Sequence, residues 1–307
     1  MPEKTEPIRT GSRDDLRLEA SRCLRIRFSA SQCDHCSAIC PKEAVSLEDG
    51  LVIDSNCCSG CLLCTSVCPS GALEFSADVL ACLAQLSKVT EPVLGCCRTK
   101  ERANGWIACL GGLSSEHLLT LKQRLTGQLT LNISLCSACP NSAMLRQLQR
   151  RLQDLAALLP TGCNIIMAES VETIRFQEET VDRRSFFKSF RSSLFQTAAV
   201  VLSQSSEQTE KRSDYTSKRL PARRELLNRV LETTGQATTE TLQKRFFGNI
   251  CISENCTACQ GCVAICPTGA LSTKEEQADT PPAFETARCT ACGLCVEFCL
   301  DEAIILH

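Results

Sequence analysis

Two runs of cysteine at fixed intervals constrain this chain more than any other feature. They are Cys256-x2-Cys259-x2-Cys262-x3-Cys266-Pro267 and Cys289-x2-Cys292-x2-Cys295-x3-Cys299. Three thiolates so close along one loop can grip a single metal cage, and a fourth beyond them can reach across to a second cage. An imperfect copy lies near the N-terminus, as Cys33-x2-Cys36-x3-Cys40-Pro41 followed by Cys58-x2-Cys61-x2-Cys64-x3-Cys68-Pro69. The repeat unit is a half-module of roughly thirty residues, used four times.

Cysteine makes up 25 of 307 residues, close to the level of a disulfide scaffold in a short secreted chain. This chain is long, and its N-terminus, MPEKTEPIRTGSRDD, has neither an apolar h-region nor a small-residue cleavage site. No apolar run is long enough to cross a bilayer, so no transmembrane segment is expected. A reducing cytoplasm is the expected setting, where clustered cysteines bind metal more often than they form disulfides. Aromatic residues are only 4%, so the metal cages are expected to take the place of a large aromatic core.

Charge is nearly balanced at −2 overall but unevenly spread. Residues 250–307 hold eight acids against Lys274 and Arg288, a balance of −6. Residues 182–245 hold thirteen Lys/Arg and seven Asp/Glu, a balance of +6. The split favours docking of the acidic end on a basic partner face, or folding of the basic segment onto that end. No basic patch interleaved with aromatics points to nucleic acid.

The expected architecture is α+β, with two cysteine-rich modules flanking a small α/β domain that has a parallel sheet, plus a helical linker. Residues 1–20 read as a polar, frayed tail and residues 21–80 as the first module, with short strands at Ala44–Leu47 and Leu51–Ile53. Residues 90–177 alternate strand, helix, strand, helix and strand. The strands fall at Glu91–Cys96, Leu129–Ile133 and Asn164–Met167, and the helices at Ser114–Leu125 and after Asn141, which is placed to cap the second. Pro160-Thr161-Gly162 is expected to end that helix. Residues 182–245 read as a basic linker: an amphipathic helix with Phe186, Phe187, Phe190 and Leu194, a mobile polar stretch Ser203–Lys218, and a second helix Ala222–Glu232. The last module occupies residues 246–307.

The two cysteine-rich modules resemble bacterial two-cluster ferredoxins, on the spacings quoted above. That resemblance implies pseudo-twofold pairs of half-modules, oxygen-sensitive [4Fe–4S] clusters of low potential and no substrate of their own. In the C-terminal module Cys256, Cys259, Cys262 and Cys299 would hold one cluster, and Cys289, Cys292, Cys295 and Cys266 the other. Four-thiolate zinc is the competing reading. Leu300 stands where the second proline would sit, which is expected to alter the exit path of the chain. In the N-terminal module Cys58, Cys61, Cys64 and Cys40 complete one set. The other has Cys33, Cys36 and Cys68, with Ala30 at the position of the missing ligand. Cys23 is the favoured fourth thiolate, Cys57 is its rival, and a three-iron cluster or an empty site are the remaining outcomes. Three or four clusters are therefore expected.

The layout is also similar to multi-cluster iron–sulfur subunits and accessory ferredoxins that accompany molybdenum or tungsten oxidoreductases and hydrogenases. The middle domain is similar to small α/β iron–sulfur subunits of hydrogenase–heterodisulfide reductase assemblies. A third group of thiols, Cys96, Cys97, Cys109, Cys136 and Cys139, lies there, two of its clusters just after predicted strands, where sites gather in open α/β sheets. These thiols read as a further metal site, as a redox-active dithiol at Cys136 and Cys139, or as buried small hydrophobes. Cys82, Cys163 and Cys251 read as packing residues, and His35, His117 and His307 as isolated and solvent-facing. Asp182–Lys188 resembles a twin-arginine export motif, but its mid-chain place rules out that role. There is no G-x-G-x-x-G and no G-x-x-x-x-G-K-[ST]. The leading expectation is thus an electron-transfer protein of an anaerobic oxidoreductase system with a redox protein partner. A thiol-active redox subunit and an iron–sulfur maturation factor are the alternatives.

Overall fold

The computed structural model describes residues 15–76, 79–159, 162–176, 218–273 and 280–307. The helix expected around Phe186–Leu194, the Asp182–Lys188 motif, Pro160 and Thr161, and all of Ser203–Lys218 except Lys218 lie outside the described residues.

Each cysteine-rich module is built on two small antiparallel pairs. In the C-terminal module Ile250–Ile252 pairs with Ile304–Leu306, and Leu271–Ser272 pairs with Ala283–Phe284. The N-terminal module repeats this plan: Leu16–Leu18 pairs with Leu73–Phe75, and Val45–Ser46 with Val52–Ile53. Chain after the first Cys-Pro of a module turns into the inner hairpin, while chain after the last module cysteine returns to pair with the opening strand. Leu16–Leu18 falls inside what reads from sequence as a frayed tail. Its buried Leu16 and its pairing with Leu73–Phe75 make it part of the fold. Short helices follow the cysteine loops at Leu63–Val67, Gly261–Ile265 and Leu294–Phe298.

Between the modules lies a parallel four-stranded sheet in the order Gly105–Ile107, Val93–Cys96, Leu129–Asn132, Ile165–Ala168. Val93–Cys96 is buried throughout, as a strand covered on both faces must be. Gly105–Ile107 is an edge strand missing from the expected strand–helix alternation. Its three residues include a glycine and a half-exposed Trp106, so it carries no apolar run to announce it. Helix Ser115–Arg124 opens with a capping box between Ser114 and His117. Helix Met144–Leu158 buries Leu148, Leu152 and Leu155 along one stripe and ends at Leu159. Asn141 does not cap it: Ala143 holds the cap position with no side-chain bond.

The described part of the basic linker is a strap. Helix Ala222–Leu231 packs along Ser115–Arg124 and buries Leu226, Leu227 and Val230, and helix Gln236–Phe246 leads into the last module. A continuous apolar core joins the N-terminal module, the sheet domain and Leu227, Leu242, Phe246 and Phe247. The C-terminal module has a separate core around Ile250, Cys262, Cys266, Leu271 and Ile304. It is tied to the first module by polar and aromatic contacts. Arg27 donates to the carbonyls of Ile265 (3.0 Å) and Ala264 (3.3 Å), and Phe28 meets Phe298 edge to face at 5.2 Å.

The strap is locked by a buried ion cluster. Arg223 Nε donates to Glu116 Oε1 at 3.2 Å, Arg224 Nη2 lies 3.8 Å from the same oxygen, and Arg223 also donates to the carbonyls of Thr65 (3.1 Å) and Cys68. Arg151 joins the sheet domain to the module by donating to Ser66 Oγ at 2.6 Å and Leu113 O at 2.7 Å. Burial alone would push the Glu116 carboxyl up, but Arg223 and Arg224 outweigh it and hold it at about 2. His117, expected at the surface, is buried in the capping box against Phe75, and burial holds it down at about 4. Both folded values lie below the ordinary ones. The stability each group contributes is therefore fully present above 4.5 for Glu116 and 6.5 for His117, and is lost as pH falls towards the folded values. Glu116→Gln leaves Arg223 and Arg224 without a counter-charge in a buried site, and it should cost on the order of 3 kcal/mol. Thermal unfolding followed by circular dichroism at pH 7 should show a Tm lowered by several degrees, and the acid-side slope between pH 4.5 and 2 should shrink.

Candidate metal centres

The backbone of the cysteine loops is bent in a repeating way. In the loops starting at Cys58, Cys256 and Cys289, the second and fourth residues after the first cysteine are left-handed. These are Gly60 and Leu62, Ala258 and Gln260, and Ala291 and Gly293, with φ between 53° and 76°. The residue three after each closing cysteine is left-handed too: Glu43, Gly71, Gly269 and Glu302, with φ between 49° and 72°. Among the described residues, all six non-glycine residues with positive φ, namely Glu43, Leu62, Ala258, Gln260, Ala291 and Glu302, sit in these turns. Side chains adopt that region at a cost, and they do so where the surroundings over-determine the backbone. The result is loops whose amides turn inward. Ala44 N–H donates to Cys40 Sγ at 3.3 Å, Ala291 N–H to Cys289 Sγ at 3.4 Å and Ala303 N–H to Cys299 Sγ at 3.4 Å. Leu300 does not change the exit path as expected, since Glu302 takes the same turn as Glu43 and bonds Cys299 O at 3.3 Å as Glu43 bonds Cys40 O. The proline is dispensable because the turn needs a left-handed residue three positions on and places no demand on the residue after the cysteine.

These bends gather thiols. Cys40, Cys58, Cys61 and Cys64 line a cavity of about 30 Å³, and Cys266, Cys289, Cys292 and Cys295 line one of about 20 Å³. Cys256, Cys259, Cys262 and Cys299 line a wider one of about 150 Å³. Cys23 lies within electrostatic reach of Cys68, Cys33 of both, and Cys36 of all three. Helix Leu24–Arg27 begins directly after Cys23 and carries it to this group, buried with Cys36 and Cys68. Cys57 is exposed, its thiol turned to Asp54.

The donor chemistry fits a large anionic cage. Burial pushes Cys36, Cys292 and Cys295 up to about 12, and neighbouring sulfurs push in the same direction. Buried thiols crowded this way stay protonated unless a metal takes the place of the proton. Cys266 is the exception: burial raises it, but hydrogen bonds from the amides of Leu271, Thr268 and Ala270 and the Thr268 hydroxyl bring it below the ordinary thiol value. Among the described residues, no three histidine, cysteine or carboxylate side chains converge closely enough to hold a single ion. Four thiolates on a cube of irons stand wider apart than on one tetrahedral zinc.

Two buried arginines point the same way. Arg22 lies within electrostatic reach of Cys68 and Arg224 of Cys289. Among the described residues, Nε and Nη1 of both guanidinium groups lack hydrogen-bond partners. Burying such donors without an acceptor is costly. A cluster with its thiolates would supply negative charge beside each. Sequence reading singles out neither arginine, because nothing in local spacing separates a buried arginine from an exposed one.

In the sheet domain Cys96, Cys109, Cys136 and Cys139 line one cavity with Asn141 and Met144. Cys97, expected among this group, is exposed at its rim, and Cys96 faces inward instead because Val93–Cys96 buries every residue. Cys251 is exposed and therefore does not pack, whereas Cys82 and Cys163 lie against the core as expected. His35 is exposed beside Asp34, and His307 is exposed at the chain end.

Residues 255–303 match the family model of a 4Fe-4S dicluster domain, and residues 51–74 match that of a 4Fe-4S binding domain. No curated protein and no solved structure matches the chain. The first match spans all eight C-terminal cysteines of the two runs, and the second spans Cys58, Cys61, Cys64 and Cys68. The chain thus carries two ferredoxin-type 4Fe-4S domains, which imply at least two [4Fe–4S] clusters.

Proposed function

We propose that this chain is an electron-transfer protein that relays single electrons, through [4Fe–4S] clusters at four sites, to or from a partner redox enzyme. The sites are Cys256, Cys259, Cys262 and Cys299; Cys266, Cys289, Cys292 and Cys295; Cys40, Cys58, Cys61 and Cys64; and Cys23, Cys33, Cys36 and Cys68. The observation that carries this reading is that each of the four thiol sets adjoins another. Cys64 is within electrostatic reach of Cys36 and Cys295 of Cys262, while the Phe28–Phe298 contact and the bond from Gln32 N–H to Glu297 Oε1 (3.4 Å) bring the Cys23 set to the Cys299 set. Each cluster, when bound, supplies storage for one electron at low potential.

On this reading the protein's own groups set the properties of the relay. Arg22 and Arg224 place buried positive charge beside Cys68 and Cys289, which favours the more negative, reduced state. The inward amides of Ala44, Ala291 and Ala303 act in the same direction, and the strap keeps the first module and the sheet domain in fixed register. The modules themselves run from residue 15 to 76 and from about residue 248 to 307, with the sheet domain and basic strap between them. No helix among the described residues is long and apolar enough to cross a membrane. The acidic last module suits a basic docking face on the partner, and a molybdenum or tungsten oxidoreductase or a hydrogenase in an oxygen-poor, reducing cytoplasm is the partner class that uses such relays.

Anaerobically purified full-length protein should be brown, and dithionite followed by methyl viologen titration should show one electron exchanged per cluster. A colourless, iron-free, folded protein would end the reading. Cys23→Ala should lower iron and acid-labile sulfide by up to about four each per chain, whereas Cys57→Ala should leave both unchanged. The reverse pattern would transfer the ligand role to Cys57. Arg224→Met should make the midpoint potential of one cluster more negative in a spectroelectrochemical titration, leaving the cluster count intact.

A further inference from the structure

We propose that the parallel-sheet domain holds a fifth [4Fe–4S] cluster, ligated by Cys96, Cys109, Cys136 and Cys139, next to the Cys40–Cys64 set. The inference extends the relay just described and rests on that reading for the electrons this site would carry, but not for the existence of the site.

Four thiols from three separate segments converge here. Cys96 closes the buried strand Val93–Cys96, and Cys109 follows the edge strand Gly105–Ile107. Cys136 and Cys139 lie in the turn after Leu129–Asn132, where Cys139 N–H bonds Cys136 O at 3.1 Å. All three strands are parallel neighbours, so their carboxyl ends open on the same edge of the sheet, where an open α/β sheet places its ligands. Cys136 is within electrostatic reach of Cys96, Cys109 and Cys139. The cavity they enclose is about 40 Å³, beside about 30 Å³ and 20 Å³ for two of the ferredoxin-type sets. Its size falls within the range of the ferredoxin-type sets, the third of which encloses about 150 Å³, and its four thiols suit the same cage.

Hydrogen-bond donors already surround these sulfurs, as they surround thiolate ligands. Thr99 Oγ1 donates to Cys96 Sγ at 3.6 Å, Asn141 Nδ2 to Cys109 Sγ at 3.9 Å, and the Arg98 guanidinium bonds Cys139. Arg98 also brings a positive charge to a site that becomes anionic when loaded. Loading requires four S–H protons to leave as four Fe–S bonds form. A single zinc ion would need sulfurs drawn closer than any three here are. A reactive dithiol would need an accessible thiol, but Cys136 is buried.

The site adjoins the relay. Cys109 lies within electrostatic reach of Cys61. Two residues on, Gly111 packs so tightly on the Cys58–Cys64 loop that a Cβ there would overlap the Cys61 carbonyl. Arg151 fixes this contact by donating to Gly111 O at 3.2 Å and Leu113 O at 2.7 Å from one side and Ser66 Oγ from the other. On its outer side the cavity is rimmed by exposed Cys97 and by Arg98. The sheet domain would therefore give the relay a further terminal beside the Cys40–Cys64 set.

The test uses anaerobically prepared full-length protein with iron, sulfide and zinc measured together. The Cys136→Ala/Cys139→Ala variant should lose about four irons and four sulfides per chain relative to the parent and no zinc, while Cys97→Ala should lose none. Mössbauer spectra should lose one four-iron component and keep the others. An unchanged iron count, a loss of one zinc, or a loss of only two irons overturns the assignment. A Cys58→Ala/Cys61→Ala variant run alongside separates this proposal from the relay. If that variant keeps its iron while the sheet-domain variant loses four, the fifth site stands and the reading of the N-terminal set fails. Should the double variant not fold, alkylation of the native parent decides. Cys97 should label at once, and Cys96, Cys109, Cys136 and Cys139 only after chelation of iron. Labelling of those four in the iron-loaded protein overturns the proposal.

Discussion

Sulfur crowding is the constraint on which the rest of this structure depends. Each set brings thiols close together, where burial and mutual repulsion oppose ionisation, as at Cys36, Cys292 and Cys295. Empty, such a site has little to hold it together: few aromatics and, in the last module, a core of only a handful of aliphatic side chains. Filled by a metal cage, the same sulfurs become the centre of the fold. The left-handed residues follow from this. Six side chains accept an unfavourable backbone region so that amides face sulfur, and the loops that demand this conformation are those that would wrap a cage.

The proposed relay of anionic centres would create its own difficulty, which the strap would meet. Negative charge accumulating along the relay would repel itself, and the acidic last module adds to it. Arg22, Arg223 and Arg224 come from two distant parts of the chain and are buried among the modules, where Glu116 and Glu74 compensate only part of their charge. Arg22 Nη1 lies 3.9 Å from Glu74 Oε2, Arg219 bonds Glu74 at 3.1 Å, and Arg22 Nη2 donates to Arg219 O at 2.6 Å. The buried pair Arg223 and Arg224 of the basic linker is therefore no solvated face, although Arg229, Lys244 and Arg245 near it are exposed. It is the counter-charge of the interior, and the partly unsatisfied guanidinium groups are what an anion beside them would complete.

Much of this was legible in the sequence, for a physical reason. Ligand spacing within one loop is local, so the intervals around Cys58, Cys256 and Cys289 announce their own geometry. So do the alternating Leu129, Leu131 and Ile133 and the helical stripe of Leu148, Leu152 and Leu155. What escaped depends on long-range packing. Gly105–Ile107 has too few apolar residues to read as a strand, yet it delivers Cys109. His117 looks like an isolated polar residue until the capping box and the Phe75 contact bury it. Cys96 and Cys97 are neighbours that spacing does not separate, yet Cys96 closes the buried strand Val93–Cys96 whereas Cys97 lies in the turn after it and is exposed.

The two departures from the repeat belong together. A strict copy of the C-terminal module would have a cysteine near Ala30, and its loop would carry the left-handed pattern seen at Cys58, Cys256 and Cys289. Between Cys33 and Cys40 that pattern is absent, and helix His35–Ala38 takes its place. With Cys23 as the proposed fourth thiol, the chain between Cys23 and Cys33 is free to do something else. That segment holds Arg27, Phe28 and Gln32, the residues that grip Ile265, Phe298 and Glu297 of the other module. A regular loop wrapped round its cage would have no side chains to spare for that contact. The irregular half-module is thus the one that faces its counterpart, and its irregularity is what makes the two modules continuous.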